Sequence, residues 1–320
     1  MKRFFLSEAG AVMLWVMLSL VLAGALAPWL YQAGKCLADS AATEDLPGVL
    51  EWLGAACGRA EFGRFFNRAL LLSAVMTLPG LLWRIQIVRS ECVSKVISCA
   101  AVPWRSAVIQ IGVGCIIAAG MLWGIGMFLE ASGAFTPKPG APGLGKLLGK
   151  IIVPAVVVSP LEEWMIRGVL LGMWLKFSKP VAACVGTSLF FAFVHFLKPP
   201  VGSVIADPAS AMAGFELLGK VLFHFVNPRF FVTEFATLFF GGMILAWARV
   251  RTGGLWFAIG LHAGWISGFK GFNLLYQAAA SHHWGIVGTF SGPFPMVTLG
   301  LTAVICHFAL RRFDVKPVIG

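Results

Sequence analysis

An all-α, polytopic integral membrane bundle of about eight transmembrane helices is the fold this sequence predicts, and three observations predict it. The 320 residues are 58% hydrophobic and only 12% charged, with a mean hydropathy of +0.85, whereas a soluble domain averages about 25% charged residues. The apolar residues come in runs close to the roughly 20 that a helix needs to cross a hydrocarbon core. Lys and Arg gather in short clusters between those runs, where basic residues orient spans with their loops on the cytoplasmic side. The net charge of +11 is therefore topological, and no single basic face for nucleic acid is expected.

Lys2 and Arg3 precede the first apolar run, residues 9–30, which is long for a signal peptide and reads as an uncleaved span. The loop after it carries Asp39, Glu44, Asp45 and Glu51 and is expected outside, with Arg59, Arg64 and Arg68 leading into a second span at 69–83. Arg84, Arg89, Lys95 and Arg105 against one acid, Glu91, mark the next loop as cytoplasmic. A third span at 107–129 is followed by a Gly/Pro-rich stretch, 136–145, expected to be a flexible connection. The run at 147–175 is interrupted by Pro154 and Pro160, and reads either as one long kinked helix or as a helix that starts at Pro160. Lys176 and Lys179 follow it.

A fifth span at 181–197 ends at Lys198-Pro199-Pro200, and residues 209–227, with Glu216, Lys220 and His224, read as an interfacial or re-entrant piece. Spans at 230–248 and 254–269 are separated only by the Arg251-Thr252-Gly253-Gly254 turn, which makes them antiparallel neighbours. The last span, 295–310, leads into Arg311, Arg312 and Lys316. Both termini are then inside, and residues 1–320 form a single integral domain. Seven cysteines at 36, 57, 92, 99, 115, 184 and 306 show no C-x-x-C spacing, so free thiols are expected rather than a zinc site or a disulfide framework. A Cys36–Cys57 bridge is compatible only with an extracytoplasmic loop.

The stretch Ser159-Pro160-Leu161-Glu162-Glu163-Trp164-Met165-Ile166-Arg167-Gly168 places three ionisable side chains inside an apolar run. Each costs roughly 2.5–3.5 kcal/mol at a membrane helix centre, so they call for partners and a purpose. Glu163 and Arg167 are four apart and pair on one face, while Glu162, rotated by about 100°, is left for chemistry as a general base. The bland alternative is a capping box, with Ser159 the cap, Pro160 the first helical residue and Glu162 satisfying backbone donors. Two intramembrane histidines tilt the balance. His195 lies four residues after Phe191, and His262 sits mid-span, opposite a ridge of Gly260, Gly264 and Gly268 that lets its helix approach a neighbour closely. Glu234 reads as an interface residue beside Arg229, and His224, His282, His283 and His307 carry no argument. The twelve tryptophans read as interface anchors and lipid-facing bulk.

Glu162-Glu163-x-x-x-Arg167, Phe191-x-x-x-His195, Gly241-Gly242-Met243 and Arg251-Thr252-Gly253-Gly254-Leu255-Trp256 running into His262-Ala263 together resemble the successive motifs of the CPBP family. That family includes type II CAAX prenyl endopeptidases and bacteriocin-processing (Abi) proteins. The resemblance covers residues 153–267 and implies an intramembrane glutamic endopeptidase of a multi-pass protein of the cell (inner) membrane. It implies catalytic roles for Glu162 as base, His195 in holding the water and His262 as oxyanion donor, with Glu163, Arg167 and Phe191 supporting them. Many members carry asparagine four residues after the last histidine; here that position is Ile266, with Ser267 and Asn273 as weak substitutes.

No cofactor and no metal are expected, and the partners expected are membrane lipid and a peptide or protein that reaches the membrane, with no nucleic acid. A prenylated tail, a bacteriocin leader and a sorting-signal helix all remain open as substrates. A zinc site built from one Glu and two His is the competing enzyme reading, though no H-E-x-x-H motif is present. An immunity protein or scaffold without activity is the non-enzyme reading. A transporter would call for repeat symmetry between the halves, which the sequence lacks.

Overall fold

The computed structural model describes residues 8–85, 102–140, 142–175, 178–197, 199, 203–227, 234–279 and 293–313. Lys2, Arg3, Arg89, Glu91, Cys92, Lys95, Cys99, Lys176, Lys198, Pro200, Arg229, His282, His283 and Lys316 lie outside these residues. What is described is all-α apart from one short ribbon, and each of the eight expected apolar runs coincides with a helix. Among the described residues, two helices are long and apolar enough to cross a membrane, over Gly10–Thr43 and Trp104–Ala131. The helices gather into two compact units, one formed by residues 1–90 with 195–228 and the other by residues 91–194 with 229–320.

The first unit holds α1 (Glu8–Thr43), α2 (Gly48–Gly58), α3 (Phe62–Ile85) and α8 (Ala213–His224). α1 runs well past the expected end at residue 30 and takes Asp39 with it, because residues 31–43 include four alanines, the strongest helix former, and no proline. The acidic loop is likewise partly helical: α2 carries Glu51, and Lys35 on α1 closes it by donating from Nζ to the carbonyl oxygens of Gly58 at 2.8 Å and Ala60 at 3.2 Å. Cys36 and Cys57 are free thiols. Ala23, Ala27, Phe66, Ala69 and Leu217 form the core. α8 is amphipathic, as the sequence indicates, burying Leu217 and Val221 while Glu216 and Lys220 pair at 2.7 Å on its outer face. Its first turn crosses α1 so closely that a Cβ on Gly214 would run into the Gly24 carbonyl.

The second unit holds α4 (Trp104–Ala131), β1 (Phe135–Pro137), α5 (Leu144–Glu163), a π-helical segment (Trp164–Leu170), α6 (Leu171–Trp174), α7 (Pro180–His195, whose last residue is counted with the first unit), α9 (Ala236–Thr252), α10 (Trp256–Leu275), β2 (Tyr276–Ala278) and α11 (Pro293–Leu310). α10 is the central rod. It lies parallel to α4 in a glycine-lined contact, where a Cβ on Gly260 would meet the Ile111 carbonyl and one on Gly264 would come 2.5 Å from the Cys115 carbonyl oxygen. α9 reverses into α10 through Gly253, whose φ of 65° is the left-handed conformation glycine adopts without strain.

The supposed flexible stretch after α4 begins instead as β1, antiparallel to β2 with Thr136 opposite Gln277. Aromatic packing explains the ordering: Phe272 meets Phe135 edge-on at 5.2 Å and stacks on Tyr276 at 4.7 Å. A wide apolar face remains exposed along α5 and the first residue of the π-helical segment, where Val153, Val156, Val157, Leu161 and Trp164 are each more than half exposed. Such a face suits lipid rather than water.

Candidate active site

One continuous rod runs from residue 144 to 174 through both prolines, so no helix starts at Pro160 and the capping-box reading of Ser159 and Glu162 falls. Ser159 is fully buried inside the helix. Pro160 lacks the N–H that would close its own turn and its ring crowds the preceding carbonyl. The rod relaxes just beyond it into the π segment Trp164–Leu170, a local widening often found at functional sites. Glu162 and Glu163 stand at that junction.

Their environments differ as their rotation on the helix requires. Glu163 is fully buried, whereas the Glu162 side chain keeps 29% of its surface exposed. Glu163 Oε1 accepts two charge-assisted hydrogen bonds, from Arg167 Nη1 at 2.9 Å and from His262 Nδ1 at 2.8 Å. The first was legible from the spacing. The second was not, because 99 residues separate the partners; the signal was that both were ionisable groups in apolar helices.

A carboxylate only accepts, so the proton of this bond resides on Nδ1, and that fixes the orientation of the imidazole. His262 Nε2 then faces Glu162 Oε2 at 3.8 Å. That is too long for a direct hydrogen bond and short enough for both atoms to meet one small group between them.

Arg167, 1% exposed, is held on three sides. Besides Glu163, its Nη2 donates to the Gly242 carbonyl at 3.3 Å, and its guanidinium carbon lies 4.2 Å from the centre of the Phe191 ring. Stacking of this kind stabilises a desolvated cation by about 2 kcal/mol. Phe191 also meets the His262 ring edge-on at 6.2 Å. Three sequence motifs therefore converge on one chain of contacts, Gly242 to Arg167 to Glu163 to His262, with Phe191 packed against two of its members. Gly242 has no side chain for a reason: a Cβ there would press on Ser188 at 3.1 Å.

Glu162, Glu163, Arg167, Phe191 and His262 thus come together. His195 is the last residue of α7, one turn beyond Phe191 and half-buried. Ser267 and Asn273 are the two candidates to replace the asparagine. Ser267 Oγ donates to its own helix at the Ala263 carbonyl, 2.7 Å away, and Asn273 lies eleven residues past His262, about 16 Å along α10. Glu234 is half-buried just ahead of α9, and among the described residues no ion pair joins it to this cluster. His307 stacks on Trp247 at 5.9 Å, away from the cluster.

Residues 144–267 match the family described as type II CAAX prenyl endopeptidase Rce1-like. The matched range opens at the first residue of α5 and closes within α10, so every residue of the cluster falls inside it. No curated protein and no solved structure matches the chain.

Proposed function

We propose, from the match of residues 144–267 to the type II CAAX prenyl endopeptidase Rce1-like family, that this protein is a multi-pass peptidase of the cell membrane that hydrolyses a peptide bond with Glu162 as general base. One observation carries the reading: a buried Glu163 holds His262 by Nδ1 and leaves Nε2 3.8 Å from the buried Oε2 of Glu162, whose side chain as a whole is 29% exposed. Two carboxylates on adjacent residues thereby take different tasks. Glu163 orients and Glu162 is left to act as the base.

In the proposed reaction Glu162 takes a proton from a water molecule as its oxygen attacks the scissile carbonyl carbon. The carbonyl π pair moves onto oxygen. The C–N bond then breaks and the departing amine takes the proton from Glu162, returning the carboxylate. His262 donates from Nε2 to the oxyanion when its ring carries the second proton, while Glu163 holds the ring by Nδ1. His195, by the family resemblance, helps hold the attacking water. Arg167 neutralises Glu163 and, with Phe191, fixes the whole arrangement. The exposed apolar face of α5 supports a protein that sits in lipid and meets its substrate there.

The test is cleavage of a quenched fluorescent peptide ending in a prenylated cysteine, two aliphatic residues and a terminal residue, by full-length protein in liposomes. Alongside it, new peptide termini are compared between membranes with and without the protein. Turnover of the peptide, or protein-dependent termini at one consistent sequence, is expected. Neither appearing with well-folded protein would remove the peptidase reading and leave the scaffold alternative.

A further inference from the structure

Resting on that reading, we infer that Trp265 is a further catalytic residue, whose indole N–H is the second donor to the oxyanion. The need for one follows from the geometry. His262 commits its Nδ1 proton to Glu163 at 2.8 Å, so its other nitrogen donates only when the ring is doubly protonated. One turn further along α10, Ile266 offers no donor, and the Ser267 hydroxyl is spent on the Ala263 carbonyl.

Trp265 is three residues beyond His262, about 60° round the helix and 4.5 Å along it. Long side chains on a helix lean toward its N-terminus, so the indole of Trp265 covers the turn that carries His262. Its partners fix its level. The Cζ3 corner of the ring lies 3.9 Å from where a Gly241 Cβ would stand, while the adjacent Gly242 receives Arg167 Nη2 at 3.3 Å. The indole and the Arg167–Glu163–His262 chain therefore meet α9 at successive residues. With the Cζ3 corner against α9, the opposite edge of the ring, which bears Nε1, is turned away from that helix.

Trp265 Nε1 is buried and has no hydrogen-bond partner among the described residues. Buried donors without acceptors are few in folded proteins, and each calls for an explanation. An indole N–H only donates and does so at every pH at which proteins fold. It suits an acceptor that becomes strong only during reaction, when the carbonyl oxygen gains the π electron pair. The step balances as before: Glu162 carries the water proton to the departing amine, and Trp265 Nε1–H bonds the alkoxide without transferring its proton.

The experiment uses full-length protein in liposomes with the prenylated fluorogenic peptide. Trp265→Phe removes the donor and keeps an aromatic ring. It should lower kcat about 100-fold with KM unchanged, the loss typical of one oxyanion donor. Adding Ile266→Asn in the same chain should recover about ten-fold, because its amide restores a donor one turn after His262. If Trp265→Phe accumulates poorly, benzothienylalanine introduced at 265 by nonsense suppression keeps the indole shape and replaces only the N–H by sulfur. A well-folded donor-free protein that turns over within about three-fold of wild type, far short of one donor's worth, overturns the inference. So does a loss that Ile266→Asn leaves unrecovered, which would place the defect in packing. In both cases the peptidase reading stands if Glu162→Gln is inactive; a wild-type protein that cleaves nothing sinks both.

Discussion

Replacing Glu163 by alanine removes the acceptor shared by two buried donors, Arg167 Nη1 and His262 Nδ1. The exposure of the two ion-pair partners, 0% for Glu163 and 1% for Arg167, decides the magnitude. Breaking a buried pair by deleting one member costs about 3–5 kcal/mol, because the survivor stays desolvated and uncompensated. The orphaned Nδ1 adds about 1–3 kcal/mol. The Gly242 carbonyl and the Phe191 ring still hold Arg167 in part, so a net loss of about 4 kcal/mol is expected, and an apparent Tm lower by on the order of 10 °C. Removing both charges with Glu163→Leu and Arg167→Met should regain most of it, since a buried ion pair replaced by apolar side chains is often neutral. Fluorescence-detected size-exclusion chromatography after heating reads all three proteins in the same detergent. Glu163→Ala as stable as wild type, or a double variant no better than the single one, would refute the claim that this pair is buried and mutually dependent.

Gly260→Ala should disrupt the α4–α10 contact, because its Cβ meets the Ile111 backbone carbonyl, while Gly300→Ala, with nothing within 4 Å, should be silent; detergent-solubilised yield and Tm compare them. Phosphatase and fluorescent reporter fusions after Glu44, Ser90 and Val315 should read outside, inside and inside, given the basic clusters at alternate ends of the spans. An outside signal at Ser90 would invert the later loops. Chelation followed by dialysis should leave peptide cleavage unchanged, since the proposed base acts on water directly; activity lost on chelation and restored by zinc would favour the metallopeptidase alternative.

Local spacing carried much of the site into the sequence. Four residues between Glu163 and Arg167, or between Gly260, Gly264 and Gly268, define a helix face whatever the tertiary fold, and the pair and the close contact are both present. Contacts across long separations were beyond reach. Glu163 serves His262 as well as Arg167, a sharing that no pattern on either helix encodes. Turn chemistry misled twice. Ser159-Pro160 has the form of a helix start, yet the apolar run before it continues the helix and a π segment absorbs the proline. The Gly/Pro-rich stretch after α4 reads as loop, yet Phe135 finds an aromatic partner in Phe272, far along the chain, and orders the strand. Trp265 was passed over as one anchor among twelve, because its unpartnered N–H is visible only once its neighbours are known.

Cleavage per unit of folded protein by Glu162→Gln, measured in membranes beside wild type and Glu163→Gln, tests the central claim most directly. Glutamine keeps the size of the side chain at 162 and its hydrogen-bonding capacity, and removes the ability to take a proton from water. The account predicts wild-type abundance and cleavage reduced by about 100-fold or more, within the 10²–10⁴ range that a general base contributes. Normal cleavage by folded Glu162→Gln would contradict it.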